Sequence, residues 1–187
     1  MSSNLQTHSS RLPDATKPEM DFLESSFFKD NGPNQALPTP AEVRALSSAH
    51  KTHPQPTPMK FEQLNLIVKF GPHVNVVEAQ CLWIIRKILH DEVPVPEVYG
   101  WRVDGFDTFI YMQLIRGDML RDRWDSLSIS DKTAVCDHLR QIMISLRQVE
   151  QDSDDPFIGK SLITRRTIYI DFIFRIYQPP CASRHRF

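Results

Sequence analysis

Cysteine is scarce in this chain of 187 residues, and the few thiols present do not form a recognisable pattern. The three cysteines Cys81, Cys136 and Cys181 are odd in number, widely spaced and without a CxxC pair. A small disulfide scaffold and a structural zinc site both need closely spaced cysteines, so neither class of protein is indicated. The pattern predicts reduced thiols in a cytoplasmic protein, with no metal site.

Long hydrophobic runs and an excess of charge are also missing. The formal net charge is −1, which gives no long-range field and predicts no nucleic-acid partner. No run approaches the roughly 20 apolar residues that a membrane-spanning helix needs, and the N-terminus has no apolar core of a secretory signal. With 41% hydrophobic residues the chain can still build a core. We therefore expect a soluble protein with no membrane partner.

Glycine is rare as well, with six in the chain and none between Gly32 and Gly71, whereas proline is concentrated near the start. Eight of the 14 prolines lie in the first 60 residues, among many serines and threonines. This composition predicts that residues 1–35 form a disordered segment. The following stretch "LPTPAEVRAL" predicts a short helix with Thr39 as N-cap and Pro40 at its first position.

Regular patterning is clearest from "PMKFEQLNLIVKFG" onward. Strand alternation puts Leu66, Val68 and Phe70 on one face of a strand, and Ile67 and Lys69 on the other. Gly71-Pro72 ends this strand. A helix is predicted over 76–90, with Asn75 as its cap, because the apolar residues that follow repeat every 3.6 positions.

The rest of the pattern predicts two strands and then helices. "EVYGWRVDGFDTFIYMQLI" reads as two strands joined at the tight-turn pair Asp104-Gly105. After Gly117, "DMLRDRWDSL" predicts a short helix, and "SDKTAVCDHLRQIMISLRQVEQ" predicts a long amphipathic helix capped by Ser130. The order is strand, helix, strand, strand, helices.

Two charged residues interrupt the apolar pattern at its centre, and each has two interpretations. Glu78 starts an otherwise apolar helix row, so it either meets a partner outside its helix or closes a capping box with Asn75. Lys69 shares a strand face with Ile67, so it is either a solvated edge residue or needs a counter-charge under the next helix. A separation of nine residues with a turn between permits a strand-to-helix ion pair. The two residues together favour pairing.

The segments "LIVKFG", "VVEAQ", "VPVPEVYGW", "TFIYMQLIRGDML" and "DPFIG" stand in an order and spacing that resemble the aminoglycoside phosphotransferase family. The resemblance covers roughly residues 36–160. It implies an α+β fold with a protein-kinase-like small lobe, an antiparallel sheet plus one helix, over 36–115. The hinge and first helices of an incomplete large lobe would occupy 116–160, and a divergent tail 161–187.

The resemblance also implies roles for individual residues in binding ATP. Lys69 would hold the α- and β-phosphates, Glu78 would fix that lysine, and Ile67 would cover the adenine.

The segment "FIYMQLIRG" resembles the strand and hinge that join the two lobes. Met112 would stand at the back of the nucleotide pocket, while the carbonyl of Gln113 and the amide of Ile115 would meet the adenine edge. A buried strand that ends at Gly117 is the alternative interpretation of the same residues.

The sequence departs from the family in its catalytic machinery. The glycine-rich phosphate loop is absent in its usual form. The family needs a His-Gly-Asp segment ending in Asn and a later Asp for Mg²⁺, whereas His138 is followed by "LRQ" within a helix and His185 by "RF". We therefore assign no catalytic residue and no Mg²⁺ ligand. The acidic stretch "EQDSDDPF" is predicted to be a solvated loop, and the chain to be C-terminally truncated relative to the family.

The sequence thus predicts a domain that resembles ATP-dependent small-molecule kinases, which transfer a phosphoryl group to a hydroxyl acceptor. By itself the chain is predicted to be inactive. A non-catalytic, nucleotide-binding regulatory protein and an inactive fragment are the alternatives. The sequence does not identify the acceptor.

Overall fold

The computed structural model describes residues 6–7, 12–32, 34–48 and 58–151 of the chain. These residues divide into two compact units. One comprises the described residues from Leu12 to Ile115, and the other comprises 6–7 together with 116–151. Among the described residues, no helix has both the length and the apolar character needed to cross a membrane. The predicted acidic loop after Gln151 and the predicted tail at 161–187 lie outside this part of the chain.

The helices and strands are numbered along the chain. They are β1 Gln6–Thr7, β2 Glu19–Asp21, α1 Ser26–Asn31, α2 Pro40–Ser48, β3 Met59–Phe61, β4 Leu66–Gly71, α3 Val76–Ile88, β5 Val98–Asp104, β6 Asp107–Gln113, α4 Leu120–Arg123, α5 Ile129–Arg147 and β7 Glu150–Gln151.

The larger unit is built on a five-stranded antiparallel sheet with the strand order β2–β5–β6–β4–β3. Strands β5 and β6 form the predicted hairpin, in which Asp104 pairs with Asp107. Gly105 lies in the turn at φ +63°, a left-handed conformation that glycine adopts without strain. The α+β class and the antiparallel sheet are confirmed.

One side of this sheet, which we call the apolar face, forms an aromatic and aliphatic core. Leu66 and Val68 of β4 are fully buried there, and the rings of Phe70 and Phe109 stack at a centroid distance of 5.1 Å. The buried members of this cluster are Phe27, Leu37, Val43, Leu66, Val68, Phe70, Tyr99, Phe109 and Tyr111. The predicted alternation along β4 is therefore confirmed.

Residues 12–32 correct the sequence analysis, which predicted a disordered segment over 1–35. Strand β2 extends the sheet by pairing with β5, and Phe22 and Phe27 are 6% and 1% exposed. Arg102 of β5 also binds the Asp21 carboxylate at 2.7 Å. The prediction is wrong for these residues because their order comes from long-range pairing and aromatic burial, which local composition does not report.

Helix α2 begins as predicted, with Pro40 at its first position. The Thr39 hydroxyl accepts a hydrogen bond from the Glu42 amide, while the Glu42 carboxylate accepts from the Thr39 amide at 2.7 Å. These two bonds close a capping box that satisfies two amides at the helix start. The Thr39 amide and the Thr39 hydroxyl (at 2.8 Å) both donate to the Glu42 carboxylate. Because these two bonds favour the charged carboxylate, they lower the pKa of Glu42.

Helix α3 is also capped as predicted. The Asn75 side chain accepts a hydrogen bond from the Val77 amide at 2.9 Å. The helix ends at Ile88, two residues before the predicted end, where the amide of Leu89 bonds back to the carbonyl of Ile85. It packs against β5 and β6.

In the smaller unit, helices α4 and α5 fall where the sequence predicted helices, but the cap of α5 differs. Ser128 is the N-cap, and its hydroxyl accepts from the Asp131 amide while Asp131 accepts from the Ser128 amide. The prediction of Ser130 is wrong because an acidic residue three positions after Ser128 completes a capping box there. The short strands β1 and β7 pair in parallel.

Candidate functional site

The two charged residues of the central strand and helix form an ion pair. Lys69 Nζ of β4 contacts Glu78 Oε1 of α3, and the two side chains are 28% and 7% exposed, respectively. The solvated-edge interpretation of Lys69 is therefore wrong. The Glu78 carboxylate is directed to Lys69 instead of the Asn75 amide, so the pairing predicted from the sequence is confirmed.

The link between β4 and α3 brings these side chains together. Gly71 ends the strand at φ +139°, a conformation that disfavours residues with a Cβ, and the Val74 amide bonds back to the Gly71 carbonyl at 3.2 Å. The chain reverses within a few residues, and Glu78 lies in the first turn of α3. A carboxylate is favoured at this end of a helix, where the dipole is positive.

Sheet register defines the surroundings of the pair. Lys69 is opposite Ile110, and Ile67 is opposite Met112. Ile110 and Met112 are 0% and 3% exposed. Since directly paired residues share a face, Lys69 lies in a row of apolar side chains on the side covered by α3, which we call the paired face. Four of the predicted site residues, Ile67, Lys69, Glu78 and Met112, are therefore close together.

Two backbone hydrogen bonds hold the start of the predicted hinge segment at the end of β6. The Gln113 amide donates to the Glu97 carbonyl at 2.8 Å, and the Leu114 amide donates to the Asn65 carbonyl at 3.0 Å. Ile115 follows directly and is 55% exposed. Within the described part of the chain, its amide has no acceptor. The strand end is thus anchored by two backbone bonds, and the exposed residue that follows has an amide not used within the described structure.

The thiol of Cys81, in helix α3, is buried, and this burial has a large effect on its pKa. The Cys81 thiol has its pKa raised to about 12, first by burial and then by the negative charge of Glu78. While it stays buried, this thiol is therefore protonated at neutral pH and a poor nucleophile.

Two further polar residues of this unit, one buried on α3 and one half-buried just before β5, were not singled out by the sequence analysis. Gln80 is 3% exposed and interrupts the apolar residues of α3. Glu97 accepts bonds from the amide and hydroxyl of Ser26, at 3.2 and 2.6 Å. The sequence did contain a signal for Gln80, because a polar residue interrupts the apolar pattern of this helix. For Glu97 no local pattern exists, because Ser26 is 71 residues away.

A surface groove of about 550 Å³ lies elsewhere in the same unit and includes none of the predicted nucleotide residues. It is lined by Pro18, Glu19, Ala36, Leu37, Thr39, Pro40, Ala41, Arg102, Val103 and Asp104. Among the described residues there is no group of three His, Cys, Asp or Glu side chains arranged to hold a metal ion.

Comparison with protein-family models, with curated proteins and with solved structures finds no match for this chain.

Proposed function

We propose that this chain binds a nucleotide, with ATP as the expected ligand, and that Lys69 supplies the positive charge for its phosphates. The observation that carries the proposal is the strand-to-helix ion pair in an otherwise apolar row. A partly buried ion pair is a poor source of stability, since well-packed apolar side chains of similar volume often stabilise a protein as well or better. A lysine fixed by a carboxylate is, however, the arrangement that positions nucleotide phosphates in kinase folds.

The sheet order supports the same proposal. Strand β4, which carries Lys69, lies beside β6, and β6 ends at Gln113, two residues before Ile115. Residues proposed for the phosphates and for the adenine edge are thus on neighbouring strands, although α3 and β5 separate them in sequence. This is the relation expected for the small lobe of a protein-kinase-like phosphotransferase of the aminoglycoside phosphotransferase type.

Spacing along β4 fits a nucleotide lying along the strand. Ile67 and Met112 are opposite each other, and Lys69 is two residues farther on the same face. Two residues of a strand span about 7 Å. The apolar pair would contact the base, and the ammonium group would lie farther along toward the phosphates.

The proposal is for binding, with no catalytic residue assigned. The His-Gly-Asp segment and its metal-binding partners do not occur in the sequence, and the described residues contain no carboxylate cluster suited to Mg²⁺. We expect the purified chain to transfer no phosphoryl group from ATP to a hydroxyl acceptor. The alternative to a kinase is a non-catalytic, regulatory protein, and it requires only this binding.

Calorimetric titration with ATP and AMP tests the role of Lys69. A charge-assisted contact contributes about 1.5–3 kcal/mol, so Lys69→Met should weaken ATP binding by about 10- to 150-fold. AMP lacks the β-phosphate, so Lys69→Met should weaken the binding of AMP less than the binding of ATP. Lys29→Met, at an exposed position of α1, is the control and should leave ATP affinity unchanged.

A double-mutant cycle tests the role of Glu78. Glu78→Gln should weaken ATP binding less than Lys69→Met does, since the lysine remains but is oriented less well. The two changes should be non-additive because the residues are in direct contact. Wild-type protein without measurable ATP affinity, or equal losses of affinity in Lys69→Met and Lys29→Met, would contradict the proposal.

A further inference from the structure

Helix α3 is contacted by the segment 13–22, which contains β2 and which we call the strap. The Gln80 side-chain amide donates to the Pro13 carbonyl at 2.6 Å. One turn farther along, the rings of Trp83 and Phe22 stack with centroids 6.1 Å apart. Both contacts reach the helix near Glu78, on the two turns that follow it.

The strap is itself fixed to strand β5. The Trp101 indole donates to the Lys17 carbonyl at 3.0 Å, and the Val103 amide donates to the Pro18 carbonyl at 2.7 Å. Directly after Pro18 the strap continues as β2, with Met20 in register with Trp101. The strap therefore connects the sheet to the helix.

Glycine at position 100 allows this close approach. A Cβ on Gly100 would fall well inside contact distance of the Met20 carbonyl, which is backbone and has little freedom to move. The strap is thus seated on β5 at a site where a side chain is sterically excluded.

The chemistry of Gln80 indicates that its bond to the strap is more than incidental packing. The side chain is 3% exposed, and its Oε1 atom has no hydrogen-bond partner among the described residues. A buried polar group without a partner is unfavourable, so an apolar residue would suit this position better if packing alone mattered. The amide group nevertheless makes one short bond, and that bond ends on the strap.

We propose that the strap positions α3 so that Glu78 pairs with Lys69, with Gln80 and Phe22 as the positioning residues. Gln80 follows Glu78 by two residues in a continuous helix, so a restraint on one limits the movement of the other. Release of the strap lets the start of α3 move away from β4 and separates the pair. The consequence for nucleotide affinity rests on the proposed function, whereas the consequence for the ion pair does not.

Gln80→Met is the sharpest test, because it removes the donor and the unpartnered oxygen while keeping a similar volume. The readout is alkylation of Cys81, measured with Cys136→Ser and Cys181→Ser in place. Cys81 lies beside Gln80 and is buried. We expect its rate to rise by about fivefold or more, with little change in the melting temperature. Phe22→Ala should act in the same direction, whereas Leu23→Ala, at a residue that is 68% exposed, is the control and should not.

The coupling between Lys69 and Glu78 provides a second readout that does not need a nucleotide. A double-mutant cycle on unfolding should show coupling in the wild-type background and a reduced coupling in Gln80→Met. An unchanged Cys81 rate together with unchanged coupling would overturn the strap, even if the protein binds ATP. Loss of coupling in a protein that does not bind ATP would support the strap and overturn the proposed function alone.

Discussion

The two faces of the central sheet use the same two strands, β4 and β6, in opposite ways. On the apolar face, β4 and β6 contribute Leu66, Val68 and Phe109, each fully buried among other apolar or aromatic side chains. On the paired face, the intervening residues include Lys69, and the covering helix places Glu78 against it. One face is built almost entirely from hydrophobic contacts, and the other contains an ion pair.

This difference distinguishes residues that stabilise the fold from residues whose presence suggests a functional site. Burial of apolar area contributes about 25 cal/mol per Å² and suffices to hold the sheet together. A partly buried ion pair adds little net stability because desolvation offsets most of the attraction. The paired face therefore has a composition that stability does not explain, and stability measurements on the two faces should diverge.

The largest stability loss is expected on the apolar face. Phe109→Ala removes a fully buried ring that stacks on Phe70 and lies 5.0 Å from the Arg44 guanidinium. Deleting such a ring typically costs about 3–5 kcal/mol. Urea unfolding should show this loss, while Phe106→Ala, at a turn residue that is 96% exposed, should leave the free energy of unfolding nearly unchanged. Similar values for the two variants would mean that this face is not the main core.

A smaller loss is expected on the paired face, with a different signature. Lys69→Met deprives a buried carboxylate of its cation and should lower the free energy of unfolding by about 1–3 kcal/mol. Adding Glu78→Gln removes the stranded charge and should restore part of that loss. Lys60→Met, at an exposed position of β3, is the matched control for stability. A double variant less stable than Lys69→Met alone would show that Glu78 stabilises the fold without its partner.

The apolar face was the more predictable of the two from sequence. Alternation in "LIVKFG" identified the buried side of β4, and Asp104-Gly105 identified the hairpin, because both signals are local. The strap and β2 were missed. Their order depends on pairing with β5 some 80 residues away and on the burial of Phe22, and neither leaves a periodic pattern in a segment rich in proline and serine.

The candidate site was predictable only where it had a local signal. Lys69 and Glu78 each broke an apolar pattern, and their spacing across a turn was enough to predict the pair. Gln80 broke the same helical pattern and was not used, because its partner is a backbone carbonyl at Pro13, which no sequence pattern marks. The roles of Met112, Gln113 and Ile115 in nucleotide binding stay predictions.

The smallest expected effect concerns a polar atom within the apolar face. The Tyr111 ring is fully buried, and its hydroxyl has no hydrogen-bond partner among the described residues. Tyr99, in the same core, has its hydroxyl 3.4 Å from both the Ser26 hydroxyl and the Asn65 carbonyl. Removing an unpartnered buried hydroxyl relieves a desolvation penalty, so Tyr111→Phe should be neutral or stabilising by up to about 1 kcal/mol. Tyr99→Phe should instead destabilise slightly.

Alkaline pH makes the same comparison sharper. Burial raises the pKa of Tyr111 to about 12 from its ordinary value of 10.0, so the folded protein keeps this proton after the unfolded chain has lost it. The unfolded state then binds fewer protons, and the free energy of unfolding falls as pH rises from about 10 to 12, while the contribution is fully present below pH 10. Burial also raises the pKa of Cys81 to about 12, so Cys81 lowers the free energy of unfolding at alkaline pH as well. That loss is the same in wild type and variant and cancels in their difference.

Urea unfolding from pH 8 to 11 should therefore show a shallower decline in the free energy of unfolding for Tyr111→Phe than for wild type. If the free energy of unfolding falls equally with pH in both proteins, the Tyr111 hydroxyl is solvated in the folded protein. In that case water reaches the apolar face, and the contrast with the paired face fails there.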